Sequence, residues 1–299
     1  MKQNRLKGRQ DKIFNVVMLG VPTAFFVLLY LLPCVMGLFY SMTDFGGFTL
    51  KMEFVGLQNY KRLLKDEVFF KSILNYFKLY FGVVLVCFPL SYISALALTK
   101  NRRIKERNFY RILFFFPCTV PTLILAIMWM TMFNPSFGVL NQVIGWFGGE
   151  PVQWLGSSKV VMISVLILVV WRQFGFYLVY FMAGVSNIPP DLYESAKIDG
   201  ASEIMQTIKI TIPLSWEVIK TSMLFFVMTA MNLGFGTVYV LTQGGPDNAS
   251  QTISSYLYYN VTKYLEYGLG SAMGVVMMVI TLVMSLLILK LMKRETYEV

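Results

Sequence analysis

The amino-acid sequence predicts an all-α fold, a polytopic membrane protein of six transmembrane helices, and three observations carry that expectation. Of its 299 residues, 56% are hydrophobic and 14% charged, with a mean hydropathy of +0.60. Soluble domains run to about 45–50% apolar and about 25% charged. Six apolar runs approach the roughly 20 residues that cross a bilayer, and most of the charge is gathered in the segments between them.

The first run, 14–39, follows Lys2, Arg5, Lys7, Arg9 and Lys12. It is too long for a signal-peptide core and no small-residue cleavage site follows it, so an uncleaved first span is expected. The others cover 77–98, 112–133, 160–183, 222–240 and 270–291, making one transmembrane domain over 1–299. Arg/Lys counts set the orientation. With the N-terminus inside, segments 1–13, 99–111, 184–221 and 292–299 hold 5, 6, 3 and 2 basic residues, and the outer segments hold 5, 1 and 1. The outer five, Lys51, Lys61, Arg62, Lys65 and Lys71, are interspersed with Glu53, Asp66 and Glu67. The tract Lys100, Arg102, Arg103, Lys105 and Arg107, with the basic N-terminus, therefore favours cytoplasmic termini under the positive-inside rule.

Between spans, Phe54 to Phe70 mixes apolar and basic residues at near-helical spacing and reads as a helix on the outer interface. Asn134-Pro135 opens the second outer segment, with Trp146 and Trp154 as interface anchors. From Thr242, TQGGPDNAS is a turn cluster. Asn232-Leu233-Gly234-Phe235-Gly236 interrupts the fifth span, and Gly270 and Gly274 form a small-xxx-small start to the sixth, suited to close helix packing or to a hinge.

Composition excludes several kinds of chemistry. The positive charge behind the net +10 is concentrated in a few inter-span segments, which argues against a nucleic-acid face. There is no His, so no His metal site or proton relay, and no Gly-Lys dipeptide, so no P-loop of the G-x-x-x-x-G-K-[ST] type. Cys34, Cys87 and Cys118 lie in apolar stretches without paired spacing and read as small buried residues. No metal site and no catalytic residue is expected. All sixteen Asp and Glu residues lie outside the six runs. An ion-coupled secondary transporter, the alternative reading, needs ionisable groups inside the membrane, and an intramembrane enzyme needs a carboxylate pair or metal cluster.

The stretch that looks folded yet polar is 187–213. Pro190 suits the first helical position, and Asp191 and Glu194 put negative charge near the positive end of the helix dipole. The helix is expected to stop at Asp199-Gly200, where Gly permits a left-handed closing residue and Asp can cap the next helix. A second helix, about Ser202 to Thr211, is expected to end at Pro213. Small residues at Ser195, Ala196, Gly200 and Ala201 would let another protein's backbone approach.

Glu194-Ser195-Ala196, then Asp199-Gly200-Ala201, then Ile210 and Pro213 resemble the EAA loop of binding-protein-dependent ABC importers, in the sugar permease group of maltose and glycerol-phosphate type. Ser195 departs from the usual Ala, and Thr207 from the aromatic common in sugar-importer members. The outer segments also resemble the shorter sugar permeases, so the likeness covers nearly the whole chain. It implies a type I ABC importer permease for a sugar or oligosaccharide in a bacterial cytoplasmic membrane. Implied partners are a second homologous permease, an ABC ATPase dimer that binds ATP and Mg, and an extracellular or periplasmic solute-binding protein. The chain itself is lipid-embedded and carries no cofactor. Two residues are candidates for the passage, Arg172 near the middle of the fourth run and Asn232 in the fifth. An arginine at that depth costs roughly 2.5–3.5 kcal/mol on insertion scales, so it should meet carbonyls, a partner's acid or a wet pathway rather than lipid.

Overall fold

The structure is a computed structural model that describes residues 14, 16–48, 52–100 and 106–293. The basic residues at 2–12, Lys51, Arg102, Arg103 and Lys105 that bear on orientation lie outside them. Helices and connecting turns make up the described chain, with one isolated β-bridge, Thr43 to Phe54. Five helices are long and apolar enough to cross a membrane, and one bent pair makes a sixth crossing if counted as one span. The chain separates into two compact units.

The first unit comprises 1–65 and 257–276. Its long helix, α1 (Val16–Tyr40), buries none of its apolar window. Beyond it, Asn59 of α2 (Gln58–Leu63) donates to the carbonyls of Ser41 and Thr43 at 2.9 and 2.8 Å and holds the bridge in place. Arg62 pairs with Glu266 at 2.8 Å. Gly270 packs against the Val261 side chain, so the small residue provides close contact here.

The second unit comprises 66–256 and 277–299. Asp66 caps α3 (Glu67–Lys100) by accepting from the backbone N–H of Val68 and Phe69 at 2.9 and 3.1 Å. At 34 residues α3 is about 50 Å long, well beyond the ~30 Å hydrocarbon layer. The apolar run at 77–98 is only its C-terminal two-thirds. The single interfacial helix expected over Phe54 to Phe70 is therefore two pieces, α2 and the first turn of α3, because Asp66 starts a new helix between them.

The core of this unit joins α3, α7 (Val161–Ser186) and α10 (Trp216–Leu241). Phe88 of α3 lies 4.4 Å from the Tyr177 ring and 5.8 Å from that of Phe181 on α7, with Phe226 of α10 at 6.1 Å. Fixed aromatic pairs of this kind add about 0.5–1.5 kcal/mol beyond area burial. Helix α4 (Arg107–Thr119) approaches α7 backbone to backbone, since a Cβ at Gly175 would collide with the Phe114 carbonyl. Only glycine allows that crossing.

The run at 112–133 is not one straight span. Helix α4 and α5 (Thr122–Met132) meet at a 98° bend. Val120 is extended, at φ −77° and ψ 135°, because the ring of Pro121 disfavours helical geometry in the residue before it. Conversely, α10 runs unbroken through Asn232 to Gly236, where an interruption was expected. Glycine in a helix costs only about 1 kcal/mol relative to Ala, and Gly234 here lies against the Thr252 side chain. Next to α5, α6 (Val139–Trp146) is anchored through Asn141, whose Oδ1 accepts from Trp154 Nε1 at 2.9 Å, so Trp154 is tied into the loop. Trp146 is exposed.

Three helices widen by one residue into a π turn, at Val27–Leu31, Val83–Cys87 and Thr207–Thr211. Each is followed two residues later by a proline: Pro33, Pro89 and Pro213. The N–H just before each proline reaches back five residues, Leu32 to Val27, Phe88 to Val83 and Ile212 to Thr207. Proline has no N–H and its ring collides with the carbonyl four residues back; the wider turn displaces that carbonyl and the helix continues.

Candidate functional site

Segment 187–214 is a helix, a tight turn and a second helix at one end of the second unit. Pro190 begins α8 (Pro190–Ile198) at N1, with Asp191 in the first turn and Lys197 in the last, both favourable to the helix dipole. The helix closes in a Schellman arrangement. Ala201 N–H donates to the Ala196 carbonyl at 2.8 Å and Gly200 N–H to that of Lys197 at 3.0 Å, with Gly200 at φ 79°. A non-glycine residue at that angle costs of order 1–3 kcal/mol.

Ser202, not Asp199, caps the second helix; its Oγ accepts from Met205 N–H at 3.3 Å. Asp199 is itself the C-cap of α8. Pro213 does not end the second helix. That helix, α9, runs over 203–214 through the π turn Thr207–Thr211 and is separated from α10 only by Ser215. Gln206 is buried and donates to the Ala201 carbonyl at 2.8 Å, tying the turn to α9.

A polar cluster keys this segment to α3. Lys100, the last residue of α3, donates to Thr211 Oγ1 at 2.6 Å and lies 4.4 Å over the Tyr193 ring. The Tyr193 hydroxyl is 3.1 Å from the same Thr211 oxygen. Thr211 gives its own proton to the Gln206 carbonyl at 3.4 Å, so Tyr193 is the donor in their bond. Burial pushes the Tyr193 phenol above its ordinary value, which keeps that proton in place. About two turns back along α3, the Tyr92 hydroxyl meets Ser215 Oγ at 2.6 Å, and Ser215 donates to the Thr211 carbonyl at 2.6 Å. Both arms of the segment are thus held by the C-terminal end of α3.

Of the residues singled out from sequence, Glu194, Ser195, Asp199 and Gly200 are exposed, and Ala196, Ala201, Ile210 and Pro213 are half-buried. The outer surface also presents apolar side chains, Ile198 at 86% and Ile204 at 74% exposure, with Met205 and Ile208 beside them. Lys100, Tyr193, Gln206 and Thr211 escaped the sequence reading, because a lysine ending an apolar run looks like every other orienting basic residue and hydroxyls carry no spacing signal. The segment brings together no nucleophile and general base. Among the described residues no group of three or more His, Cys, Asp or Glu could hold a metal ion. What this arrangement can do is transmit displacement.

The two passage candidates stand apart from it. Arg172 is half-buried on α7 near Cys118, and its Nε is buried with no hydrogen-bond partner among the described residues. Asn232 on α10 is exposed. No hydrogen bond joins the two.

Comparison with known proteins covers the segment and most of the chain. The family described as binding-protein-dependent transport system inner membrane component matches residues 88–296. The chain is similar to the diacetylchitobiose uptake system permease protein NgcF of Streptomyces coelicolor, with 35% identity over 298 residues, covering 96% of this chain and 84% of that one. It is similar also to the trehalose/maltose transport system permease protein MalF of Thermococcus litoralis, at 34% identity over 290 residues and 96% of both chains. Its fold matches that of a chain in a bacterial alginate ABC transporter crystallised with its alginate pentasaccharide-bound periplasmic protein. The TM-score is 0.84 at 22% identity, over 98% of this chain and 99% of that one.

Proposed function

The chain belongs to the family of binding-protein-dependent transport system inner membrane components, the membrane-embedded permeases of ABC importers, and from that premise we propose that it moves a sugar or oligosaccharide. Permeases of this family are transport subunits and not enzymes. The observation that carries the coupling role is the locked segment 187–214: exposed, apolar at its tip, closed at Gly200 and keyed to α3 by Lys100. The sugar class is supported by relatives named for diacetylchitobiose and for trehalose and maltose. The ion-coupled alternative has no support from these relatives.

In this reading the chain pairs with a second, homologous permease, and residues Glu194 to Pro213 seat in a groove of an ABC ATPase dimer that binds ATP and Mg. A solute-binding protein delivers substrate at the other face, and both termini are cytoplasmic. Closure of the ATPase dimer displaces α8 and α9. Because α9 passes into α10 with one intervening residue and Lys100 ties α9 to α3, the displacement reaches two spans of the core together. Rigid elements with two discrete arrangements are what such switching needs. Arg172 and Asn232 face the passage.

The test is reconstitution. With binding protein, second permease, ATPase and ATP, proteoliposomes should accumulate a labelled oligosaccharide, and removing ATP or any one component should abolish uptake. Uptake by this chain alone, driven by a proton or sodium gradient, would overturn the proposal.

A further inference from the structure

Near the coupling segment, the second unit holds a cavity of about 180 Å³ walled by Thr99 at the end of α3, Arg107, Asn108 and Arg111 on the first turns of α4, and Ala183 and Ser186 on the last turns of α7. Its polar wall is one-sided: two guanidinium groups, an amide and two hydroxyls, with no carboxylate. The ion pairs among the described residues are Arg62 with Glu266 and Lys220 with Glu217, so neither arginine is paired with an acid among them. Thr99 Oγ1 is buried and has no hydrogen-bond partner among the described residues. Helix α4 begins at this cavity, and its preceding residue, Glu106, gives no side-chain cap to the first-turn N–H groups. The positive end of the helix dipole adds to the arginines.

Size and setting identify the anion. Sites for drug-sized ligands occupy about 300–1,000 Å³, so a sugar chain or a nucleotide does not fit, whereas a phosphate group does. From the cavity, α4 runs on with Phe109, Ile112, Leu113 and Phe116 each at least half exposed, an apolar flank suited to acyl chains. We propose that the cavity seats the phosphate of an acidic phospholipid, with Arg107 and Arg111 as its ligands and the acyl chains along α4. Basic pockets between transmembrane helices bind such headgroups elsewhere. Thr99 directly precedes Lys100, so the lipid borders the contact that keys segment 187–214 to α3.

The experiment is native mass spectrometry of the purified complex containing the full chain, delipidated and then titrated with phosphatidylglycerol or phosphatidylcholine. The wild type should retain one phosphatidylglycerol per copy of this chain that the double variant Arg107→Gln/Arg111→Gln does not, with phosphatidylcholine retained by neither. Ala183→Leu, which fills the cavity and leaves the charges, should lose the same lipid and serves if the double variant fails to insert. Inorganic phosphate in millimolar excess should leave the lipid bound. Equal retention by wild type and Ala183→Leu, displacement by inorganic phosphate, or loss of a protein subunit in place of a lipid would each overturn the assignment.

Discussion

At Gly200 the closing turn of α8 stands on one torsion, φ 79°, and nothing lies within 4 Å of where a Cβ would be. Gly200→Val therefore tests backbone strain with no clash. A cost of about 1–3 kcal/mol shifts the closed turn roughly five- to 150-fold, so uptake should fall at least severalfold at equal membrane abundance, and unchanged uptake would dismiss the turn as the joint. Lys100→Met keeps the apolar stem but removes the bond to Thr211 and the contact with Tyr193. Since Lys100 is partly solvated, the loss should be only about 1 kcal/mol. ATP hydrolysis should become less tightly linked to uptake while thermal stability of the complex barely moves; a large fall in stability with intact coupling would make Lys100 a purely structural residue. Arg172→Gln separates two roles for the guanidinium, whose Nε has no hydrogen-bond partner among the described residues. A passage for neutral sugars keeps appreciable uptake because the amide still hydrogen-bonds, recognition of an acidic sugar is lost with assembly intact, and failure of assembly would show Arg172 to be structural.

Among the elements, the long apolar helices were legible because hydropathy sees every residue that lipid or core excludes from water. The helix–turn–helix at 187–214 was legible because Pro190, Gly200 and the acidic first turn are local signals. What local signals could not give was the fate of prolines. Pro33, Pro89 and Pro213 are absorbed by π turns, and Pro121 makes a 98° bend. Nor could sequence show that Asn232 to Gly236 stays helical, since packing against Thr252 outweighs glycine's modest penalty. The Lys100, Tyr193 and Thr211 cluster joins residues as far as 111 positions apart, beyond any spacing argument. Pro213→Ala restores an N–H, and the turn at 207–211 should tighten to ordinary α-helical pairing. That would rotate the outer face of α9 relative to α10 and weaken uptake, with spin-label distances between Ile204 and α10 as the readout. Unchanged distances would show that something other than Pro213 holds the wide turn.

For the whole molecule, the proposed function has energy arrive through contact with an ATPase, and the sequence holds no P-loop of the G-x-x-x-x-G-K-[ST] type. Purified alone, the chain should hydrolyse no ATP, and mild solubilisation should bring a second permease and an ATPase with it. Measurable hydrolysis by the isolated chain would refute that division of labour. Ile198, 86% exposed at the tip of α8, and Phe147, 87% exposed in the loop leading to the other end of α7, are equally accessible apolar positions at opposite ends of the second unit. A photoreactive phenylalanine analogue placed at each, in membranes from cells expressing the whole transporter, asks which end meets the ATPase. Crosslinking of the ATPase at Ile198 and not at Phe147 is the expected result; capture at Phe147, or at Ile198 only of lipid or another copy of this chain, would contradict the coupling role of segment 187–214.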